Sequence, residues 1–272
     1  MYRFQPLFII EDKVLNGPPL MWGLFFFILG ACIGSFVNVI FYRFSHKEQH
    51  LGMRSICPQC KHRLSWFDLV PLFSFIWLKG RCRYCKNKIS IHYPLVELSL
   101  GVVYWLNFHY FHKTPLFLFL SLCLWPALVL ISLFDIKSKT IPDEFVIFSL
   151  IANLFYLLIM QIFFHDTKLL QESLLGAFFL AGFFLILYLV SQGKWIGFGD
   201  VKLGVLLGLY LGFSKSLLAL FLSYLLGGII SIGLVALKKK SLKSEIPFAP
   251  FLILGSFISF FWGDYLFFIF SK

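Results

Sequence analysis

Six uncharged apolar runs dominate the chain: Leu20–Phe41, Leu116–Phe134, Phe145–Phe164, Ser173–Gly193, Ser216–Leu237 and Ile246–Gly263, each 18 to 22 residues long. A helix rises about 1.5 Å per residue, so each run is long enough to cross a hydrocarbon layer of ~30 Å. A seventh run, from about Pro94 to Phe111, carries Glu97 near its start. An eighth, roughly Val201–Phe213, is short and begins beside Asp200 and Lys202. The expectation is an all-α polytopic membrane protein of about eight transmembrane helices. Composition agrees, with 59% hydrophobic residues and 14% charged, against roughly 25% charged in soluble domains. A soluble globular domain, a disordered chain and a disulfide-rich secreted domain are excluded. The first run is too long for a signal-peptide core, lacks an A-x-A-like cleavage site and leads into Tyr42-Arg43, so it reads as a retained span.

The net charge of +11 is then a matter of sides, not a nucleic-acid footprint. Placing residues 42–94 in the cytoplasm and allowing eight crossings leaves 18 Lys and Arg inside and 6 outside. The inside group includes Lys137, Lys139, Lys194, Lys202 and the cluster Lys238, Lys239, Lys240 and Lys243. Without a crossing by the short helix the split weakens to 16 against 8. Eight crossings put both termini outside.

Residues 42–93 are the one long stretch that does not read as membrane. The expected organisation is an N-terminus and first helix (1–41), a small cytoplasmic zinc-ribbon-like domain (42–93) inserted after it, and a seven-helix membrane core (94–272). Inside the island, Trp66–Leu78 is apolar but only 13 residues long and interrupted by Pro71, so an interfacial or domain-packing segment is expected.

The island holds Cys57-Pro-Gln-Cys60 and Cys82-Arg-Tyr-Cys85. Two CxxC pairs suit a tetrahedral thiolate site, because a two-residue gap lets both sulfurs of one turn face a single ion. The nine-residue stretches starting at Cys57 and Cys82 match with a constant offset of 25, as two copies of one knuckle would. Redox pairs and disulfides are the competing readings; a reducing cytoplasm disfavours the second. Structural Zn²⁺ on Cys57, Cys60, Cys82 and Cys85 is the expectation, since about 50 residues build little core alone. Cys32 and Cys123 lie inside spans and read as small hydrophobes.

Two acids stand out by position. Asp135 closes the run ending at Phe134, and Asp200 follows Gly197-Phe-Gly199 at the head of the short helix. Two crossings separate them, so both fall at the same membrane boundary. Two aspartates brought together at low dielectric share a proton. The ionised partner then takes a proton from water while the protonated one donates to a carbonyl oxygen, which is peptide hydrolysis without a covalent intermediate. Gly197 and Gly199 leave room for close backbone approach. Plainer readings stand beside this: Asp135 paired with Lys137 or Lys139, and Asp200 as a helix N-cap. Asp143, after Pro142 and before Glu144, reads as a helix start. Glu97 serves either as a cap or as a further functional acid.

These residues together resemble the type IV prepilin peptidases, aspartic membrane proteases with a Gly-x-Gly-Asp motif. The resemblance runs in order along nearly the whole chain: Gly34-Ser-Phe-Val-Asn38-Val39 with Tyr42-Arg43, the two cysteine knuckles flanking Trp66-Phe-Asp-Leu-Val-Pro71, Tyr93-Pro94-Leu-Val-Glu97, Asp135 with Ile141-Pro-Asp143, Gly197-Phe-Gly-Asp-Val-Lys202, and Ile246-Pro-Phe-Ala-Pro250. It implies that Asp135 and Asp200 are catalytic and that the substrates are prepilins or pseudopilins of a type IV pilus, type II secretion or competence system. These are cut after a short basic leader at the cytoplasmic face of a bacterial inner membrane. It also implies N-methylation of the new terminus with S-adenosylmethionine, for which no nucleotide-binding signature is present. Two departures are Trp195-Ile196-Gly197, where many relatives have Gly-Met-Gly, and Pro247-Phe248-Ala249-Pro250, where many have Pro-Phe-Gly-Pro. Neither is expected to touch a catalytic atom. The competing class is a non-enzymatic transporter or assembly-platform subunit whose zinc ribbon is a docking module.

Overall fold

The computed structural model describes residues 20–46, 55–237 and 246–270. The cluster Lys238, Lys239, Lys240 and Lys243 and both chain termini, on which part of the topology expectation rests, lie outside the described residues. Helices are α1 (Leu20–His46), α2 (Phe73–Trp77), α3 (His92–Phe111), α4 (Pro115–Ser138), α5 (Asp143–Phe164), α6 (Thr167–Ser191), α7 (Phe198–Ala236) and α8 (Ala249–Phe270), with a 3-10 turn at Trp66–Leu69. Among the described residues β-structure is limited to two isolated bridges. Six helices are long and apolar enough to span a membrane: α1 and α4 to α8. The protein is an all-α, multi-pass membrane protein.

The eight expected segments are all present, because α7 contains two of them. At 39 residues it would run to about 58 Å if straight, nearly twice a hydrocarbon layer. Gly212 breaks it, with φ 73° and ψ 175°, a conformation that L side chains rarely adopt. The short helix expected at Val201–Phe213 is the first half.

Local signals set several helix ends. The Asp166 carboxylate accepts from the Leu169 N–H at 3.0 Å and caps α6. Asp143 and Glu144 occupy the first turn of α5 behind Pro142. Where α5 and α6 stop, His165 and Gln192 take left-handed backbone.

The chain divides into two compact units, one within Asn16–Leu130 and the other within Ile131–Lys272. In the first, α1 packs on α3 through glycine. A Cβ on Gly30 would lie 2.4 Å from the Leu100 carbonyl oxygen, and one on Gly34 would lie 2.7 Å from the Glu97 Cα. Spaced four apart, the two glycines form the small-xxx-small face by which membrane helices approach closely. Asn38, one turn further on, donates to the Tyr93 carbonyl at 3.1 Å. Two stretches far apart in sequence thus meet at the start of α3.

The second unit uses the same device. Gly204, Gly208 and Gly212 follow Asp200 at intervals of four on α7, so one face carries the acid and three glycines. A Cβ on Gly208 would lie 2.4 Å from the Gly176 carbonyl oxygen of α6. Beyond the kink, Gly255 of α8 packs against Ala219 and Ser223 of α7. The Lys215 ammonium pairs with Asp264 at 3.1 Å, and α8 continues to Phe270, past the apolar run's end at Gly263. Phe184, fully buried, closes the middle of this bundle against Phe248.

Candidate active site and metal centre

Asp135 sits in the last turn of α4 and is 7% exposed. Its Oδ2 accepts the Ala249 backbone N–H at 2.9 Å. That donor belongs to the first turn of α8, where backbone N–H groups have no intrahelical acceptor. The Pro247-Phe248-Ala249-Pro250 stretch thus reaches the candidate site through a backbone N–H, which glycine at 249 would supply equally, so the departure itself is not what makes the contact. The side chain at that position left no sign of it.

Asp200 is half-buried in the first turn of α7, three residues after the N-cap. The cap is Gly197 rather than Asp200, and the Asp200 N–H donates to the Gly197 carbonyl at 3.1 Å. Asp135 and Asp200 belong to the same compact unit, and the charge of Asp135 is felt at Asp200. Tyr224, beyond the kink of α7, is also within reach of the Asp200 charge, and its ring lies 5.2 Å from that of Phe248. Tyr224 carries no distinguishing signal in the sequence, since it is one aromatic among many.

The remaining expected residues of this unit separate by role. A Cβ on Gly199 would lie 3.0 to 3.2 Å from the Ile141 side chain, so this glycine lets the α7 N-terminus approach the loop before α5. Gly197 is open, with nothing nearer a Cβ than 3.9 Å. Lys202 donates to Asp143 at 2.6 Å, tying the start of α5 to α7 two residues from Asp200. Asp143 is the helix start that its sequence setting indicated. Lys202 also lies over the Phe198 ring.

In the other unit, Glu97 is buried and accepts the Leu72 N–H at 2.8 Å. Leu72 has φ 62° and ψ −49°, a strained turn for a non-glycine residue. Glu97 does not cap α3, whose N-cap is Ile91; beside the two roles expected of it the structure displays a third, an anchor for the backbone of the 55–90 segment.

The two cysteine knuckles repeat bond for bond. Cys57 N–H donates to the His62 carbonyl and Lys61 N–H to that of Cys57, both at 2.9 Å. The Cys82–Asn87 and Lys86–Cys82 bonds are their counterparts at 2.9 and 3.0 Å. The bridges Ile56–Arg63 and Arg81–Lys88 keep the same offset of 25, and Lys61 and Lys86 have φ of 57° and 58°. The four sulfurs lie within 4.8 Å of one another and Cys57–Cys85 is 4.0 Å. Tetrahedral Zn–S bonds of about 2.3 Å place sulfurs roughly 3.8 Å apart, so the set fits a single metal ion. Burial alone would raise the Cys82 thiol, but N–H groups of Cys85 and Tyr84 outweigh it and draw it down to about 7.

Asp68 is a structural centre that the sequence marks only as one member of the Trp66–Pro71 stretch, with no role attached. Its carboxylate accepts from Arg83 Nε at 2.7 Å, Ser65 N–H at 3.1 Å, Ser65 Oγ at 2.9 Å and Tyr84 Oη at 3.3 Å. Burial would raise its pKa, yet the bonds from Arg83 and Ser65 hold it below the ordinary carboxylate range. The one local signal is Ser65-x-x-Asp68, a serine followed three residues later by an acid.

Two family models match the chain: the Bacterial Peptidase A24 N-terminal domain over residues 28–111 and the Type IV leader peptidase family over residues 120–232. The second match spans both Asp135 and Asp200. The protein is thus a membrane-embedded peptidase, and the non-enzymatic alternative falls. The chain is 30% identical to the prepilin leader peptidase/N-methyltransferase of Aeromonas salmonicida, over 93% of this chain and 94% of that one. The protein of the same name in Pseudomonas aeruginosa is 30% identical over 92% and 93%, and that in Legionella pneumophila 29% over 94% and 96%. No solved structure matches. The chain belongs to the type IV leader peptidase family.

Proposed function

We propose that this chain removes the short basic leader of prepilins and pseudopilins at the cytoplasmic face of a bacterial inner membrane, with Asp135 and Asp200 as the catalytic pair. The observation that carries the reading is that two acids from separate helix ends share one compact unit, where the charge of Asp135 is felt at Asp200 and the Ala249 N–H fixes Asp135. One carboxylate takes a proton from water as its oxygen attacks the scissile carbonyl carbon. The other, protonated, donates to the carbonyl oxygen. Collapse of the tetrahedral species breaks the C–N bond, and the leaving amine takes up the transferred proton. Ala249 N–H orients Asp135, while Gly199 and the Lys202–Asp143 pair set the position of Asp200.

In this reading residues 42–93 form a zinc domain held by four cysteines and 94–272 carry the peptidase core, with the zinc domain inside and both termini outside. Cys57, Cys60, Cys82 and Cys85 would hold Zn²⁺ in a structural role, since four thiolates leave no open position for chemistry. N-methylation with S-adenosylmethionine is the second activity in the relatives' names. The cavity beside Cys82 is lined by Lys79, Arg81, Arg83 and Lys86. Four cations are a poor match for a sulfonium, and we assign no methyl-donor site there.

The test is purified protein, a pilin precursor in detergent or nanodiscs, and mass spectrometry of the product. A mass loss equal to the leader is expected, with a further gain of one methylene mass if the terminus is methylated. An intact precursor would refute the peptidase reading. In the same assay Gly199→Ala is expected to lower the cleavage rate about tenfold, because the Ile141 contact must shift and Asp200 with it. Gly197→Ala, in open space, is expected to stay within about twofold of the parent.

A further inference from the structure

Helix α2 is too short to span anything, yet it turns a large apolar face outward. Phe73, Ile76 and Trp77, at spacings of three and four, share one side of the helix and are 59%, 74% and 71% exposed. Phe75 points the other way, against Gly80. In the preceding 3-10 turn Trp66 and Phe67 are also exposed. Such a face on a small domain needs a partner.

The position of α2 along α3 indicates which. The Leu72 N–H that starts α2 is held by Glu97, five residues into α3. Five residues are about 7–8 Å of helix, and the polar zone on one side of a bilayer is of about that thickness. With α3 taken as the span expected from the sequence at Pro94–Phe111, α2 is pinned at the level of the lipid headgroups. Charge agrees: residues 55–90 contain seven Lys or Arg and a single acid, Asp68. Asp68 is already occupied by Arg83. Lys79 and Arg81 follow α2 directly and, with Leu78, Cys82, Arg83 and Lys86, line an open cavity of about 360 Å³.

We propose that α2 lies in the membrane interface, with Phe73, Ile76 and Trp77 inserted at the boundary of headgroups and acyl chains and Lys79 and Arg81 against the phosphates of anionic phospholipid. The metal-binding domain is thereby docked on the bilayer and not suspended beneath it. Aromatic residues favour this depth, and cations near it gain from anionic lipid.

The test uses full-length, zinc-loaded protein in nanodiscs and makes no use of peptidase activity, so it stands or falls apart from the proposed function. Fluorescence of the parent minus that of Trp77→Phe isolates Trp77. Replacing the phosphatidylcholine with lipid brominated near the top of the acyl chain is expected to quench that difference by about half or more, while aqueous acrylamide has little effect. Quenching by acrylamide and not by bromine would place α2 in water. Protection from both would mean that a protein, whether a second copy or a substrate, covers the face; either result overturns the proposal. With the bromines carried only on phosphatidylglycerol, as a minor lipid, quenching is expected to be about twofold stronger in the parent than in Lys79→Gln/Arg81→Gln. Equal quenching would overturn the part assigned to anionic headgroups.

Discussion

Replacing either Asp135 or Asp200 with Asn is expected to lower leader removal by about a thousandfold or more, with the precursor still bound. Asparagine keeps the size and most hydrogen-bonding geometry of aspartate, so the fold has little reason to change. At Asp135 the amide oxygen still accepts the Ala249 N–H, and the last turn of α4 stays tied to α8. What is lost is the ability to hold or release a proton. A water-activating pair needs one member to take a proton while the other gives one, and an amide does neither. The two losses are also expected not to add, since each single variant already removes the paired function. The double variant should match the singles within a few fold. Mass spectrometry of precursor after long incubation measures all three. Unimpaired cleavage by either single variant would remove that residue from the mechanism.

The long spans were legible because apolar runs of that length have few other uses, and the knuckles because their 25-residue offset is written in residue identities. Backbone chemistry was not legible. The Ala249 N–H that holds Asp135 and the Leu72 N–H that Glu97 holds belong to groups every residue carries. Nothing in the side chain at 249 announces the donor. Glu97 therefore remained ambiguous in the sequence, since a buried acceptor is defined by a partner 25 residues away. The small-residue faces are a different case. Gly30 and Gly34 on α1, and Gly204, Gly208 and Gly212 on α7, stand at regular spacing in the sequence. The motif draws the eye to the glycines next to Asp200, of which only Gly199 packs closely. The four-residue spacing matters more for the site, because it presses α7 against α6 along the face that carries Asp200.

Changing Cys57 to Ser is expected to leave the 55–90 segment without its metal and unfolded, while the membrane helices persist. Cys57 is buried, and its sulfur lies 4.0 Å from that of Cys85 across the site. Serine is a poor ligand at neutral pH, because the thiolate and not a hydroxyl is the group that binds a soft ion. A structural zinc site is worth about 10–16 kcal/mol at neutral pH, which exceeds any stability a segment of this size gains from its own core. Among its described residues the buried apolar content is slight: Cys57 and Cys82 are themselves the buried members, and Trp66, Phe67, Phe73, Ile76 and Trp77 face outward. Metal analysis is expected to fall from about one zinc per chain to well below half, and limited proteolysis should open the basic stretch from Lys79 to Lys88. The Asp68 bonds to Arg83, Ser65 and Tyr84 are expected not to rescue it. Each is worth about 1–3 kcal/mol at most, a small fraction of the metal term. A variant that keeps full zinc and full protection would contradict ligation by four cysteines and leave Asp68 as the group that holds the segment together.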